Sequence, residues 1–155
     1  MHTPGDDQTL AATLAVMAHK PRAHVVAHFD SDGAAQLVRQ HHPQVECTRP
    51  LHVDVIARAA QDAGSSLVAG EWLAAGGVTQ FSLRVPRDAA PLSASKVGDA
   101  FRARGALWIG FFDSHADAPV LLADDATRIA PDALLYYLAH RRIDDAQLPW
   151  SSLAA

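Results

Sequence analysis

The segment Leu134-Leu135-Tyr136-Tyr137-Leu138-Ala139-His140 follows a turn signal at Pro131-Asp132 and is dense in residues that favour β-strands. A second apolar run, Gly105-Ala106-Leu107-Trp108-Ile109-Gly110-Phe111-Phe112, precedes it, and a polar connection separates the two. Apolar runs of this length, bounded by turn signals, are typical of buried strands. We therefore predict a compact sheet near the C-terminus built around these two strands. Neither strand carries an obvious catalytic group, which favours binding over catalysis in this half of the chain.

The composition indicates a globular protein with one domain or two small lobes. The chain has 155 residues, of which 49% are hydrophobic and 19% are charged. Its formal net charge of −4 gives no basic surface, so we expect no nucleic-acid partner. The single cysteine, Cys47, excludes a disulfide framework. No apolar run reaches the length of a membrane span and the N-terminus does not resemble a signal peptide, which predicts a cytoplasmic protein.

Residues 1–76 are predicted to alternate between helices and short strands. The strand candidates are His24–Phe29 and Val45–Cys47, with helices before, between and after them. This alternation is typical of a parallel sheet with crossover helices. Two strands are too few for a complete doubly wound sheet, and the chain lacks a G-x-G-x-x-G phosphate loop. Either the first half of a Rossmann-like lobe is missing, or the strands pair with something outside this chain.

The pair Gly76–Gly77 is the clearest break in the chain and marks the predicted end of the first lobe. After it, Thr79–Val85 has the alternation of a strand, and one helix and further short strands follow. Residues 77–143 are therefore predicted to form a small α+β lobe. Residues 144–155 are predicted to be a tail that packs loosely. The predicted fold class is α/β, with a partial Rossmann-like lobe followed by this small C-terminal lobe.

Five segments, in chain order, carry a resemblance to one known family. They are Arg22–Ala27, Ile56–Ser66, Val97–Phe101, Ala106–Gly110 and Ile129–Tyr137. Together they resemble the regulator of potassium conductance (RCK, TrkA-type) domain of bacterial potassium channels and uptake proteins. The first two segments resemble the second half of its nucleotide-binding lobe, and the other three resemble its C-terminal lobe. The resemblance covers most of the chain from Asp7 to Arg142.

This resemblance implies a cytosolic, ligand-sensing module of a potassium channel or transporter, and not an enzyme. Such modules work by oligomerisation and conformational gating, because the ligand has different affinities for two states. The implied partner is another copy of the chain or the pore or transport subunit. Membrane association would then come only through that partner or a missing N-terminal region, at the cytoplasmic face of the inner membrane.

The resemblance also implies an interface. The helix starting at Ser65 would cross to a partner subunit, and its apolar residues Leu67, Val68, Trp72 and Leu73 would contact that partner. Packing against the core of the chain's own fold is the other interpretation of the same residues.

The chain departs from the family pattern at three places. The glycine-rich phosphate loop, its strand and the ribose-binding acid are absent, so we expect no NAD-type nucleotide, and the ligand stays unknown. The usual Asn-Pro-Pro is replaced by Ala123–Ala126. The usual Pro-Gly-Asp turn appears as Pro131–Ala133, which indicates a different turn or a diverged copy of the domain.

Asp30 and Asp32 are the candidate cofactor-binding residues. Both follow a parallel-type strand, at the edge where α/β sheets bind their ligands. They are candidates for contacting a ligand or a cation, while capping of the next helix is the alternative role.

A rival function comes from Asp113-Ser114-His115-Ala116-Asp117, which resembles the Asp-x-His-x-Asp motif of manganese-dependent ureohydrolases. Carboxylate and imidazole groups at a strand end can bind one divalent ion and activate water. The alternative function is therefore a small metal-dependent hydrolase with Asp113, His115 and Asp117 as metal ligands, to which His41–His42 or the Asp30 and Asp32 pair could add. Against it, that family is longer and carries repeated aspartate motifs. A solvated polar loop is the other interpretation.

Overall fold

The computed structural model describes residues 5–74, 76–113, 116 and 118–155, and the chain divides into two compact units between Ser65 and Ser66. The sequence-based boundary lies at Gly76 instead. The two divisions therefore differ in where they place the helix that begins at Ser65. That helix belongs to the first lobe in the sequence-based division and to the second unit in the structural one. No helix in the described part of the chain is long and apolar enough to span a bilayer.

The first unit contains helices and two short strands in alternation. In chain order these elements are α1 (Asp6–Ala18), β1 (Val26–His28), α2 (Asp32–His41), β2 (Glu46–Thr48) and α3 (His52–Gln61). Strands β1 and β2 pair in parallel, with Ala27 opposite Cys47. A parallel pair needs a crossover connection, and α2 supplies it. The alternation in the sequence therefore predicted both the element order and the strand direction.

The core of the first unit lies between this sheet, α1 and α2. Phe29 and Val38 are fully buried at its centre, and Met17 reaches them from α1. Leu14 fits the helical spacing of Leu10 and Met17 but is exposed. In the described residues, the sheet of this unit has two strands, and α1 keeps Leu14 and Val16 exposed.

The second unit is mainly antiparallel. Its elements are α4 (Ser65–Leu73), β3 (Thr79–Arg84), β4 (Leu92–Ser93), α5 (Ala94–Arg102), β5 (Leu107–Phe112), β6 (Val120–Leu121), β7 (Arg128–Ile129) and β8 (Leu134–Ala139). Strands β3, β8, β5 and β6 form one sheet in that order, while β4 and β7 form a separate antiparallel pair. The short strand β4 was not predicted.

The two apolar runs predicted as buried strands, β5 and β8, are neighbours at the centre of the four-stranded sheet. Leu135 and Tyr137 on β8 are completely buried, and they pack against a core that includes Phe101 of α5. The register between β5 and β8 shifts next to Gly110, whose φ is +154°. A Cβ there would lie 2.2 Å from the carbonyl oxygen of Val120, so this bulge requires glycine.

The C-terminal tail is part of the second core, and the prediction that it packs loosely is wrong. Two short 3₁₀ helices, Asp145–Gln147 and Trp150–Leu153, place Leu148 and Leu153 in the core, where they are 4% and 3% exposed. Ala154 forms an antiparallel bridge with Leu92 of β4. Isolated apolar residues between polar ones give no periodic signal, which is why the sequence did not reveal this packing.

Candidate functional site

The carboxylate of Asp6, at the start of α1, binds the backbone that follows β1. It accepts hydrogen bonds from the backbone N–H groups of Asp30 (2.8 Å) and Ser31 (2.9 Å) and from the Ser31 hydroxyl. These hydrogen bonds lower the pKa of Asp6 below its ordinary value of 3.8. The bond from the Ser31 hydroxyl has the largest effect, and the bond from the Asp30 N–H has the next largest. This contact ties the first turn of α1 to the carboxyl end of β1.

Asp30 and Asp32 both lie at this edge, as the sequence indicated. Asp30 is exposed, and its Oδ1 lies 3.9 Å from Nε2 of His28. Asp32 is the first residue of α2, where a negative charge interacts favourably with the helix dipole. Ser31 occupies the N-cap position but makes no side-chain capping bond, since its hydroxyl donates to Asp6. The two candidate carboxylates are therefore both accessible to a ligand at this edge.

His41 and His42 lie at the opposite end of α2 from Asp32. At a rise of 1.5 Å per residue, the two ends of this helix are separated by about 14 Å. These histidines therefore do not share a metal ion with Asp30 and Asp32. Within residues 5–74, 76–113, 116 and 118–155, no group of three or more metal-ligating side chains comes together.

We expect Asp6→Asn to weaken the attachment of α1 at neutral pH. Because the pKa of Asp6 is lowered in the folded state, its stabilising effect is present above its ordinary value of 3.8 and is lost as the pH falls through the lower folded value. The difference in hydrogen-exchange protection of α1 between the wild type and Asp6→Asn should therefore shrink below that pH. Asp7→Asn removes the same charge from the same helical turn and is the matched control. A pH-independent difference would contradict this role of Asp6.

The Asp113 motif is only partly within the described structure. Asp113 follows β5 directly, and its carbonyl oxygen accepts a hydrogen bond from the N–H of Ala116 (3.0 Å). Ser114, His115 and Asp117 lie outside the described residues. The prediction of a metal site at Asp113, His115 and Asp117 stays a prediction.

The turn before β8 contains a charged cluster that the sequence did not reveal. Asp132 has a φ of +64°, in the left-handed region, at the position where the resembled family has glycine. Its Oδ1 lies 3.3 Å from Nε of Arg87 and 3.2 Å from Nη1 of Arg84. Hydrogen bonds from both arginines lower the pKa of the Asp132 carboxyl, and the bond from Arg87 has the larger effect. Asp132 thus adopts a conformation that glycine favours and that aspartate tolerates.

Two helices expose apolar side chains. On α3, the apolar residues Val53, Ile56, Ala57 and Ala60 are exposed. On α4, Leu67 and Leu73 are 78% and 82% exposed, and the side chains of Val68 and Trp72 are also exposed. The interpretation of Leu67, Val68, Trp72 and Leu73 as core residues therefore does not hold in this chain. Exposed apolar groups of this size are typical of interaction surfaces.

No protein-family model matches the chain, and no curated protein matches it. Among solved structures, the human SLO3 gating ring is similar, with a TM-score of 0.59 and 13% sequence identity over 88% of this chain and 30% of that chain. The GsuK channel bound to NAD covers 94% of this chain and 25% of that chain at 13% identity, with a TM-score of 0.38. The GsuK RCK domain has the same TM-score of 0.38 at 12% identity, covering 94% of this chain and 30% of that chain. These two scores are too low to support an argument.

The SLO3 comparison establishes the fold. The chain is folded like part of a gating ring and spans 30% of the length of that gating-ring chain. This likeness confirms the predicted fold class, a partial Rossmann-like lobe followed by a small α+β lobe.

Proposed function

We propose that this chain is a cytosolic regulatory and ligand-sensing module of a potassium channel or potassium transporter. Residues 1–76 would correspond to the second half of the nucleotide-binding lobe with its crossover helix, and residues 77–143 to the C-terminal lobe. The module would act by oligomerisation and conformational gating, without catalysis, and reach the membrane only through a partner. Its partner would be a second copy of the chain or the pore or transport subunit.

The observation that carries this proposal is the likeness to a gating ring along 88% of the chain. The ordered RCK-like segments, from Arg22–Ala27 to Ile129–Tyr137, support it independently, because they were identified from the residues alone. A fold does not by itself define a function, so the proposal also needs a surface that suits the role.

Helix α4 supplies that surface. Leu67, Val68, Trp72 and Leu73 are spread around the helix instead of forming one inward stripe, and all four are exposed. A helix that is apolar around most of its circumference gains stability by being buried on more than one side. A crossover helix held between subunits would be buried in this way. Aromatic anchors such as Trp72 are also enriched at protein interfaces.

The proposed ligand site is the edge after β1 that carries Asp30 and Asp32. Its two accessible carboxylates suit a cationic or hydroxyl-bearing ligand. We do not propose an NAD-type nucleotide, because the glycine-rich loop that binds its phosphates is absent from the sequence. A ligand at this edge would regulate the module through its different affinities for two conformations.

We expect Leu67→Glu combined with Leu73→Glu to weaken self-association by about a hundredfold or more, because burial of a leucine side chain contributes about 1.5–3 kcal/mol. Sedimentation equilibrium of the full chain would measure this change. Ser66→Glu adds a charge to the exposed first turn of the same helix and is the matched control. Equal association of the wild type and the double variant would exclude α4 as the interface.

The alternative function, a metal-dependent hydrolase using Asp113, His115 and Asp117, calls for a separate test. Isothermal titration of the full chain with Mn²⁺ or Zn²⁺ should give no stoichiometric binding that depends on Asp113 if the regulatory proposal is correct. A one-to-one site that Asp113→Ala abolishes, and that Asp124→Ala in the next turn preserves, would favour the hydrolase.

A further inference from the structure

We draw no further inference here: the strongest candidate, the exposed apolar patch of Val120, Leu121 and Leu122 at the β6 edge of the four-stranded sheet, carries nothing, because nothing in the described residues shows what covers it.

Discussion

Removal of residues 144–155 is expected to unfold the second unit. The deletion removes Leu148 and Leu153, which are 4% and 3% exposed, from the main core. Burial of each leucine side chain contributes about 1.5–3 kcal/mol, so together they account for roughly 3–6 kcal/mol. Because whole domains are stable by only about 5–15 kcal/mol, the loss is comparable with the total. The deletion also removes the bridge between Ala154 and Leu92 and the hydrogen bond from Ala155 N–H to Pro91 O.

Tryptophan fluorescence during urea unfolding would measure this loss, since Trp72 and Trp108 remain in the shortened chain and lie in the second unit. Leu148→Ala or Leu153→Ala alone should cost about 2–5 kcal/mol, whereas Ser151→Ala, at an exposed position of the same segment, should cost almost nothing. A shortened chain as stable as the full one would show that the tail is not part of the core.

Replacement of Tyr137 is expected to have the next largest effect. Its ring is completely buried and packs against Phe101 and Phe81, with centroid separations of 4.8 and 5.6 Å. Its hydroxyl accepts a hydrogen bond from the N–H of Ile143 at 2.8 Å, at the start of the tail. Tyr137→Ala should therefore cost about 3–5 kcal/mol through the cavity that it leaves. Tyr137→Phe keeps the ring but leaves the buried N–H of Ile143 unpaired, and should cost about 1–3 kcal/mol.

Calorimetric unfolding of these two variants would separate the ring from the hydroxyl. Hydrogen exchange at the Ile143 amide should speed up in Tyr137→Phe before other amides of the second core do. The partly exposed neighbour Tyr136 offers a control, since Tyr136→Phe changes the same atoms on the other face of β8. An unchanged Ile143 amide in Tyr137→Phe would contradict the role assigned to the hydroxyl.

The sequence contained enough information to predict the central strands of the second unit and the alternation in the first. Strands β5 and β8 are apolar along their length and lie at the centre of the sheet, although Leu107 of β5 is 59% exposed. The parallel pair β1 and β2 followed from helix–strand alternation, which permits few topologies. In both cases the residues that determine the structure are continuous in the chain. Their order in the sequence therefore shows a recognisable pattern.

The features that the sequence did not reveal depend on contacts between distant residues. Asp6 binds the backbone at Asp30 and Ser31, and nothing near Asp6 in the chain indicates that partner. Arg84 and Arg87 meet Asp132 only because β3 and β8 are paired. The sequence shows that aspartate replaces glycine in that turn, but only the backbone establishes that Asp132 is left-handed.

The roles of the candidate site residues stay predictions. Asp30 and Asp32 lie at the edge that follows β1, and the apolar residues of α4 are exposed. Exposure of Trp72 and Leu73 could not be predicted, because an apolar helix has the same pattern whether its own core or a partner covers it.

Sedimentation equilibrium of the purified full chain, over a wide range of protein concentrations, tests the regulatory proposal most directly. The account predicts a defined oligomer that dissociates into monomers when Leu67 and Leu73 are both replaced by glutamate, and that persists in the Ser66→Glu control. A wild-type chain that stays monomeric at every concentration, with and without the purified pore or transport subunit, would contradict it.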